Sequence, residues 1–231
     1  MNTGVGDAVD LSWKISAVLN GWGGARLLES YEIERHPVAV RNVNEASGNL
    51  ARMLSPEDNA SFLEDSVEGK AVRKDVGDRF AERMKREWQS LGIHLGYSYQ
   101  GSPICVTEEA IQIADDPAIY IQTTRPGSRA PHVWLADGRS TLDLFGRGFV
   151  LLRLGAAAPD AAPLATAARC CKMPLEIVTL EEKAVIYAYE QRLVLLRPDG
   201  HVAWRGDQLP SDPKALIYLV RGADPTKGST P

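Results

Sequence analysis

The chain has 231 residues, of which 44% are hydrophobic and 24% charged, a composition typical of a globular protein that buries a core. Its formal net charge of -4 and its lack of a Lys/Arg stripe leave no basic surface for phosphates, which argues against nucleic acid as a partner. No segment has the roughly 18 consecutive apolar residues of a membrane helix, and the first residues do not follow a signal-peptide pattern, so we expect a cytoplasmic location and no membrane partner.

The first residues form a glycine-rich stretch that is predicted to be a turn leading into a helix. The turn covers residues 1–7, and apolar side chains then recur at helical spacing from Ala8 to Leu19. Asn20-Gly21 and Gly23-Gly24 predict the end of this helix, because glycine readily adopts the left-handed conformation that closes a helix.

Helices are predicted to continue to about residue 91. Residues 26–35 have one apolar face. Pro37 would lose a hydrogen bond inside a helix but suits the first turn of one, so it predicts a separate helix over 37–54 at an angle to the second. A long charged helix is predicted over 67–91, and its narrow apolar stripe favours a position on a surface.

From Gly92 onward the pattern changes to short strands and turns. Residues 97–99 and 104–106 are predicted as strands, and the proline-containing stretch 115–131 as an extended connection. The predicted division of the chain is a helical segment over 1–98, a connecting arm over 99–131 and a C-terminal domain over 132–231.

The C-terminal domain alternates strands and helices. Strands are predicted over 149–154, 175–180, 193–197 and 201–205, with helices over 163–171 and 213–219. The order of strand, helix, strand, crossover, hairpin and helix predicts a thioredoxin-like α/β domain. Where a thioredoxin carries its CxxC, the chain reads Gly155 to Asp160 without a cysteine, so we expect a redox-inert packing or dimerisation module.

The cysteines and histidines do not form a metal or redox pattern. Adjacent Cys170 and Cys171 are predicted as buried small residues, and together with Cys105 they make a poor disulfide framework. The four histidines lack HxH or HxxxH spacing, so we predict no metal site. Arg129 and His132 stand in a polar loop that we interpret as a structural clasp between domains.

Three segments carry a resemblance to one family. They are MNTGVGDAVDLSWK at residues 1–14, LESYEIERHP at 28–37, and the elements PGSRAPH, DGRS and LDLFG between Pro126 and Gly146. Together they resemble the class A flavoprotein monooxygenases, in particular the phenol hydroxylase-like and polyketide aromatic hydroxylase branch. The similarity covers nearly the whole chain. It implies the C-terminal portion of such an enzyme, with a helical remnant of the FAD-binding domain followed by the thioredoxin-like α/β domain.

The resemblance also implies a flavin contact at the start of the chain. In this family the turn lies against the pyrimidine side of the flavin ring, and backbone N–H groups of the following helix face N1 and O2. A helix N-terminus suits the negative charge that reduction places on these atoms. The implied cofactor-binding residues are Met1, Asn2, Thr3, Gly4 and Val5.

The remaining side chains of this segment are interpreted as structural. Asp7 is a favourable carboxylate at a helix N-terminus, and Trp13 and Lys14 are expected to be packing and surface residues. Catalytic residues stay unknown, because in this family the flavin itself transfers oxygen while the protein supplies positioning and electrostatics.

The sequence departs from the family in the dinucleotide grip. Family members hold FAD with a GxGxxG turn on a strand-turn-helix unit, and the chain contains no such motif. The resemblance implies FAD in the complete enzyme, with NAD(P)H as reductant. We expect this chain alone to bind no FAD, and an N-terminal FAD-binding half is a candidate partner.

Two functional hypotheses follow. The first is a fragment of an FAD-dependent monooxygenase that hydroxylates phenolic or polyketide aromatic rings with NAD(P)H and O2 and is inactive alone. The alternative is a non-enzymatic homodimerisation or interaction module, because the apolar helix faces within residues 6–54 lack the cover of an FAD-binding domain and favour self-association.

Overall fold

The structure, a computed structural model, describes residues 2–53, 60–108 and 115–224, which group into two units. Unit 1 takes its described residues from Met1–Val38, Tyr97–Ile113 and Gln122–Pro231, and unit 2 takes its own from Ala39–Gly96 and Ala114–Ile121. This grouping differs from the predicted division after residues 98 and 131, because the first helix shares a core with the C-terminal sheet.

A four-stranded mixed sheet lies at the centre of unit 1. Its strands are β1 (Phe149–Leu154), β2 (Leu175–Leu180), β3 (Leu193–Leu196) and β4 (Val202–Gly206), in the order β2-β1-β3-β4. β1 is parallel to β2 and antiparallel to β3, and β3 is antiparallel to β4. β3 is buried along its whole length, as expected for a strand covered on both faces. The four predicted strands and the α/β fold class are confirmed.

Among the residues that the structure describes, five α-helices contribute to unit 1. They are α1 (Asn2–Leu19), the first part of α2 (Arg26–Met53), α5 (Ala162–Cys170), α6 (Lys183–Tyr189) and α7 (Pro213–Val220). α7 begins as predicted: the Asp212 side chain accepts a hydrogen bond from the Ala215 N–H, and Pro213 occupies the first turn. α3 (Val67–Trp88) and α4 (Leu91–Leu95) belong to unit 2.

The two faces of the sheet belong to two separate apolar cores. Alternate residues of one strand point to opposite faces, so Phe149 and Leu151 pack with α1, α5 and α7, while Val150 and Leu152 pack with α6. The first core contains a group of three rings, in which Phe149 meets Trp13 and Trp22 edge-on at 5.9 and 6.2 Å between ring centroids. α1 is therefore part of the core of the C-terminal sheet.

Unit 2 is dominated by exposed helix. Ser66 caps the N-terminus of α3 by accepting a hydrogen bond from the Gly69 N–H at 2.9 Å, and Gly69 is the one buried residue that the helix shows. This confirms the prediction of a surface helix, although it ends at Trp88 rather than at residue 91. Arg41 pairs with Asp115 and donates to the carbonyls of residues 92 and 93.

Two larger differences from the prediction concern α1 and α2. Residues 2–7 continue α1 rather than forming a turn, because glycine permits a turn but costs a helix only about 1 kcal/mol. Pro37 lies inside α2 instead of starting a new helix. Leu27 and Glu34 before it and Val38 after it are buried, and their packing offsets the hydrogen bond that proline cannot make.

The short strands were also predicted incorrectly. Residues 97–99 contribute only the isolated bridge between Ser98 and Ser128, and residues 104–106 are irregular. α6 was missed, because its β-branched and aromatic residues favour a strand, whereas burial of Val185 and Tyr189 against the sheet favours the helix. Within residues 2–53, 60–108 and 115–224, no helix combines the length and hydropathy needed to cross a membrane.

Candidate functional site

The first turn of α1 contains the residues predicted to contact a flavin. Asn2, Gly4 and Val5 are exposed and Thr3 is half-buried, while Met1 lies outside the described residues. A Cβ at Gly4 would meet no atom within 4 Å, so a flat ligand has room to approach the backbone there. The N-terminus of an α-helix carries a positive partial charge, which favours a negatively charged or electronegative group placed against it.

Arg35 of α2 contacts this turn from its buried side. Its Nε donates to Asp7 Oδ1 at 2.8 Å, and its Nη2 donates to the Thr3 carbonyl at 3.4 Å. Its Nη1 donates to the Tyr99 hydroxyl at 3.2 Å, and its guanidinium lies 5.5 Å from the centre of the Tyr97 ring. Burial disfavours the Arg35 cation, but Tyr99 and Asp7 outweigh that effect and raise the pKa of Arg35. Arg35 is therefore a fixed cation against the first turn.

Five charged side chains form a buried cluster, called the ion cluster below. Asp10 and Lys14 come from α1, Glu34 from α2, and Arg197 and Asp199 from the turn between β3 and β4; none is more than 2% exposed. Lys14 Nζ lies 2.6 Å from Glu34 Oε2 and 2.8 Å from Asp10 Oδ2. Arg197 Nη2 lies 3.0 Å from Asp10 Oδ1, and Arg197 also pairs with Glu34 and Asp199.

The carboxylates of the ion cluster differ in their affinity for protons. Burial raises the pKa of Asp10 to about 7 despite the nearby cations. Burial acts in the same direction on Glu34, but Arg197 and Lys14 outweigh it and lower the pKa of Glu34 to about 2. For Asp199, Arg197 likewise outweighs burial and holds the pKa well below its usual range. Three carboxylates oppose two cations, so a proton on Asp10 brings the cluster to formal neutrality.

Aromatic rings surround the guanidinium of Arg197. It lies 5.3 Å from the centre of the Trp13 ring and 5.0 Å from that of Tyr99, and Trp13 Nε1 donates to Asp199 Oδ2 at 3.3 Å. The His201 ring stacks on Tyr99 with centroids 4.3 Å apart, and its Nδ1 lies 3.5 Å from Asp199 Oδ1. This arrangement joins α1 to the β3–β4 turn and holds all the charges away from water.

Sequence reasoning missed the ion cluster. It placed Lys14 at the surface, and this was wrong, because Lys14 is fully buried; Trp13 is a packing residue as predicted. Two signals could have indicated the cluster: an opposite-charge pair at i and i+4 on an otherwise apolar helix, and Arg197-Pro198-Asp199 directly after a buried strand. The assigned role of Asp7 changes as well, because its carboxylate is the partner of Arg35.

The remaining candidate residues do not converge on a site. In the part of the chain that the structure describes, no three or more His, Cys, Asp or Glu side chains are placed to hold a metal ion. Cys171 is buried as predicted, but Cys170 is exposed. His132 Nδ1 lies 2.7 Å from Ser140 Oγ, and Arg129 forms a backbone bridge with His201, so each of the two loop residues has partners of its own.

Two family models match the chain. Residues 1–46 match an FAD binding domain, and residues 123–221 match the C-terminal region of aromatic-ring hydroxylases. The first match contains α1 and Arg35, and the second contains the whole sheet. The chain belongs to the family of FAD-dependent aromatic-ring hydroxylases and corresponds to its C-terminal portion.

Curated relatives and solved structures support this assignment. FAD-dependent monooxygenase apdD of Emericella nidulans is 36% identical over 97% of this chain and 38% of its own length. The 4-methyl-5-nitrocatechol 5-monooxygenase of a Burkholderia species is 34% identical over 94% of this chain and 38% of its own length. The structure of the rebeccamycin biosynthetic enzyme RebC with reduced flavin is 43% identical, with a TM-score of 0.88, over 97% of this chain and 42% of that chain. The chain thus spans about two fifths of the length of these relatives.

The first turn of α1 fits the polar edge of a flavin. The open side at Gly4 leaves room for a flat ring, and the positive end of a helix suits electronegative acceptors such as N1 and O2. Asn2 and Val5 are exposed on the same turn, so neither is withdrawn into the core of unit 1. The surface at residues 2–5 therefore leaves room for the edge of a flat ring.

Proposed function

We propose that this chain forms part of an FAD-dependent monooxygenase that hydroxylates phenolic or polyketide aromatic rings with NAD(P)H and O2. The observation that carries the proposal is the exposed first turn of α1, which lies within the segment matched by the FAD binding domain model. The names of the relatives, which include a 4-methyl-5-nitrocatechol 5-monooxygenase, a putative polyketide hydroxylase and an aklavinone 12-hydroxylase, support the aromatic substrate class.

The contribution of this chain to that reaction is binding and orientation. When bound, FAD supplies the oxygen-transfer chemistry. Residues 2–5 at the start of α1 would hold the pyrimidine edge of the ring, and the positive end of the helix would stabilise negative charge there. Arg35 and the ion cluster hold α1 in place from its buried side.

The sheet of unit 1 has a packing role in this proposal. Its strand order agrees with the thioredoxin-like interpretation, and the segment after β1 reads Gly155 to Asp160 without a thiol. A disulfide exchange step has no nucleophile at that place. The thioredoxin-like domain therefore serves as a support for α1.

Reconstitution tests the proposal. The chain is purified alone and also after co-expression with the part of the Emericella nidulans relative that it does not match. Flavin absorbance and NAD(P)H-driven addition of oxygen to a catechol probe are measured for both samples. We expect flavin and hydroxylation in the co-expressed sample and neither in the chain alone. A soluble complex without flavin would contradict the monooxygenase role, and a yellow chain alone would contradict the claim that it needs a partner half.

The second candidate function is homodimerisation, and a specific observation favours it. α1 exposes large apolar side chains, among them Val9, which is 51% exposed, and Leu19, which is 81% exposed. A second copy covering them would give a non-enzymatic interaction module. Light scattering over a concentration series tests this: a dimer that Val9→Ser dissociates supports it, and a monomer at every concentration rejects it.

A further inference from the structure

We propose that Arg35 is a positioning residue that fixes the first turn of α1 in the orientation in which its N–H groups meet the flavin ring. The inference rests on the proposed function and adds a residue to it. Arg35 lies on α2 and contacts the first turn of α1 rather than the flavin. Its effect on the cofactor is therefore indirect.

The geometry of the guanidinium carries the proposal. Its three nitrogens each donate to a different group, namely the Asp7 carboxylate, the Tyr99 hydroxyl and the Thr3 carbonyl. Thr3 and Asp7 lie one turn apart on α1, so the planar guanidinium of Arg35 binds two successive turns of the helix. Lysine has a single ammonium group on a flexible stem and cannot reproduce this set of contacts.

Gly6 provides the space in which the guanidinium lies. A Cβ at Gly6 would come within 2.9 Å of Arg35 Nη2 and 3.4 Å of Cζ, so any side chain there displaces the group. Glycine is a poorer helix former than alanine, so its presence inside α1 is explained by the lack of space for a side chain beside Arg35. Gly6 and Arg35 therefore form a matched pair.

The far side of Arg35 is rigid. Tyr99 is 3% exposed, its ring stacks on His201, and the Arg197 guanidinium lies 5.0 Å from its ring centre. The Tyr99 hydroxyl is therefore held in a fixed position, and it fixes the position of the Arg35 guanidinium that donates to it. The orientation of the first turn thus depends on the packed interior of unit 1 through one side chain.

The first part of the experiment needs no flavin. Amide hydrogen exchange of Gly6 to Ala8, which donate the first hydrogen bonds within α1, is measured for the chain and for Arg35→Met and Arg35→Lys. We expect both variants to speed exchange there about tenfold while the amides of β1 keep their protection. Arg205→Met is the matched control, because Arg205 pairs with Glu108 and Glu190 elsewhere in unit 1. Unchanged exchange in Arg35→Met would overturn the proposal.

A second variant guards against a failure to fold. Gly6→Ala keeps the charge of Arg35 but displaces its guanidinium, and we expect the same local increase in exchange. Gly77→Ala is its control, because a Cβ at Gly77 meets nothing within 4 Å. If Gly6→Ala leaves exchange at Gly6 to Ala8 unchanged, the matched-pair argument is wrong.

The last part uses the reconstituted flavoprotein of the previous section. Dissociation constants of oxidised and reduced FAD are measured for the parent protein, Arg35→Lys and Arg205→Met. A displaced turn loses donors to the charged edge, so Arg35→Lys should weaken reduced FAD about tenfold more than oxidised FAD, whereas a merely structural role would weaken both equally. An unchanged ratio in Arg35→Lys overturns the positioning role. A parent protein that takes up no FAD instead overturns the proposed function, while the exchange results still report on the Arg35 anchor.

Discussion

The two units contain the same charge pattern in opposite surroundings. In unit 1, Asp10 and Lys14 form an i,i+4 ion pair with side chains at most 1% exposed, whereas in unit 2 the i,i+4 pair of Lys74 and Asp78 is 78% and 68% exposed. Water and salt screen the exposed pair, so it contributes little to stability. A buried charge depends on its partners, because nothing else solvates it. Spacing therefore determines which side chains meet, and burial determines how strongly the fold depends on them.

The sharpest test of this comparison removes the central cation of unit 1. Arg197→Met leaves the buried Glu34, Asp199 and Asp10 with only Lys14 as a compensating cation within the ion cluster. We expect the free energy of unfolding to fall by about 3–5 kcal/mol, measured by urea denaturation.

Arg79→Met is the control for this loss. Arg79 pairs with Asp75 at i,i+4 on α3, with about half of its side chain exposed. Its unfolding curve should match that of the parent protein. Similar losses in the two variants would show that burial does not distinguish the two units.

A pair of glycine substitutions tests how tightly each unit is packed. A Cβ at Gly24 would overlap the carbonyl oxygen of Gly222 within unit 1, so Gly24→Ala should destabilise the fold by about 1–3 kcal/mol. Gly77→Ala in α3 meets no neighbour and replaces a poor helix former, so it should stabilise by up to about 1 kcal/mol. Thermal unfolding measures both, and a stabilising Gly24→Ala would refute the close approach.

The buried charges of unit 1 should also make the free energy of unfolding depend on pH, and this effect is expected to be smaller than the loss in Arg197→Met. Burial raises the pKa of Asp10 from 3.8 to about 7, so the folded state holds a proton that the unfolded state releases. That contribution is full below pH 4 and is lost as the pH rises through 7. We expect the free energy of unfolding to fall by about 2 kcal/mol between pH 5.5 and 8.

Asp10→Asn is the matched variant for this pH effect. It removes the titrating group, so its stability should change much less over the same range. The pH range also lies above the titration of Glu34, whose lowered pKa of about 2 makes its own contribution disappear only in acid. An equal slope in Asp10→Asn and the parent protein would assign the effect to another group.

The smallest effect is expected at the surface of α3. Lys74→Met removes the exposed pair with Asp78, and the midpoint of urea unfolding should not shift measurably. High salt screens the attraction between Lys74 and Asp78, and this loss should likewise not shift the urea midpoint of the parent protein. A clear shift in Lys74→Met would mean that the exposed charges of unit 2 matter more than their exposure suggests.

Much of the fold of unit 1 could be predicted from local pattern. The apolar runs predicted β1 and β2 at their observed bounds, and Asp212-Pro213 predicted the start of α7. Helix α6 was missed because Val185 and Tyr189 have side chains typical of strands, and only their packing on the sheet favours the helix. Pro37 led to the wrong prediction of a helix start for a related reason. The hydrogen bond that it costs a helix is a local property, whereas the packing that offsets this cost involves residues far along the chain.

The candidate site was less accessible to sequence reasoning. The resemblance indicated the first turn of α1, and the flavin contacts of residues 1–5 stay a prediction. The contact of Arg35 with the first turn of α1 was missed, because Arg35 and Asp7 are 28 residues apart and their pairing depends on how α1 and α2 pack. The ion cluster was also missed because its members are far apart in sequence. No periodicity relates Asp10 to the turn between β3 and β4, which follows 187 residues later.

The ion cluster also constrains the order in which the chain can fold. Arg197 contacts Asp10 across 187 residues and Glu34 across 163, which are long separations for interactions on which a core depends. During synthesis, Asp10, Lys14 and Glu34 emerge before Arg197, which is made about 160 residues after Glu34. Contacts of such high sequence separation slow folding, because loop closure must precede any gain from them. The ion cluster therefore cannot be completed until the β3–β4 turn has been made.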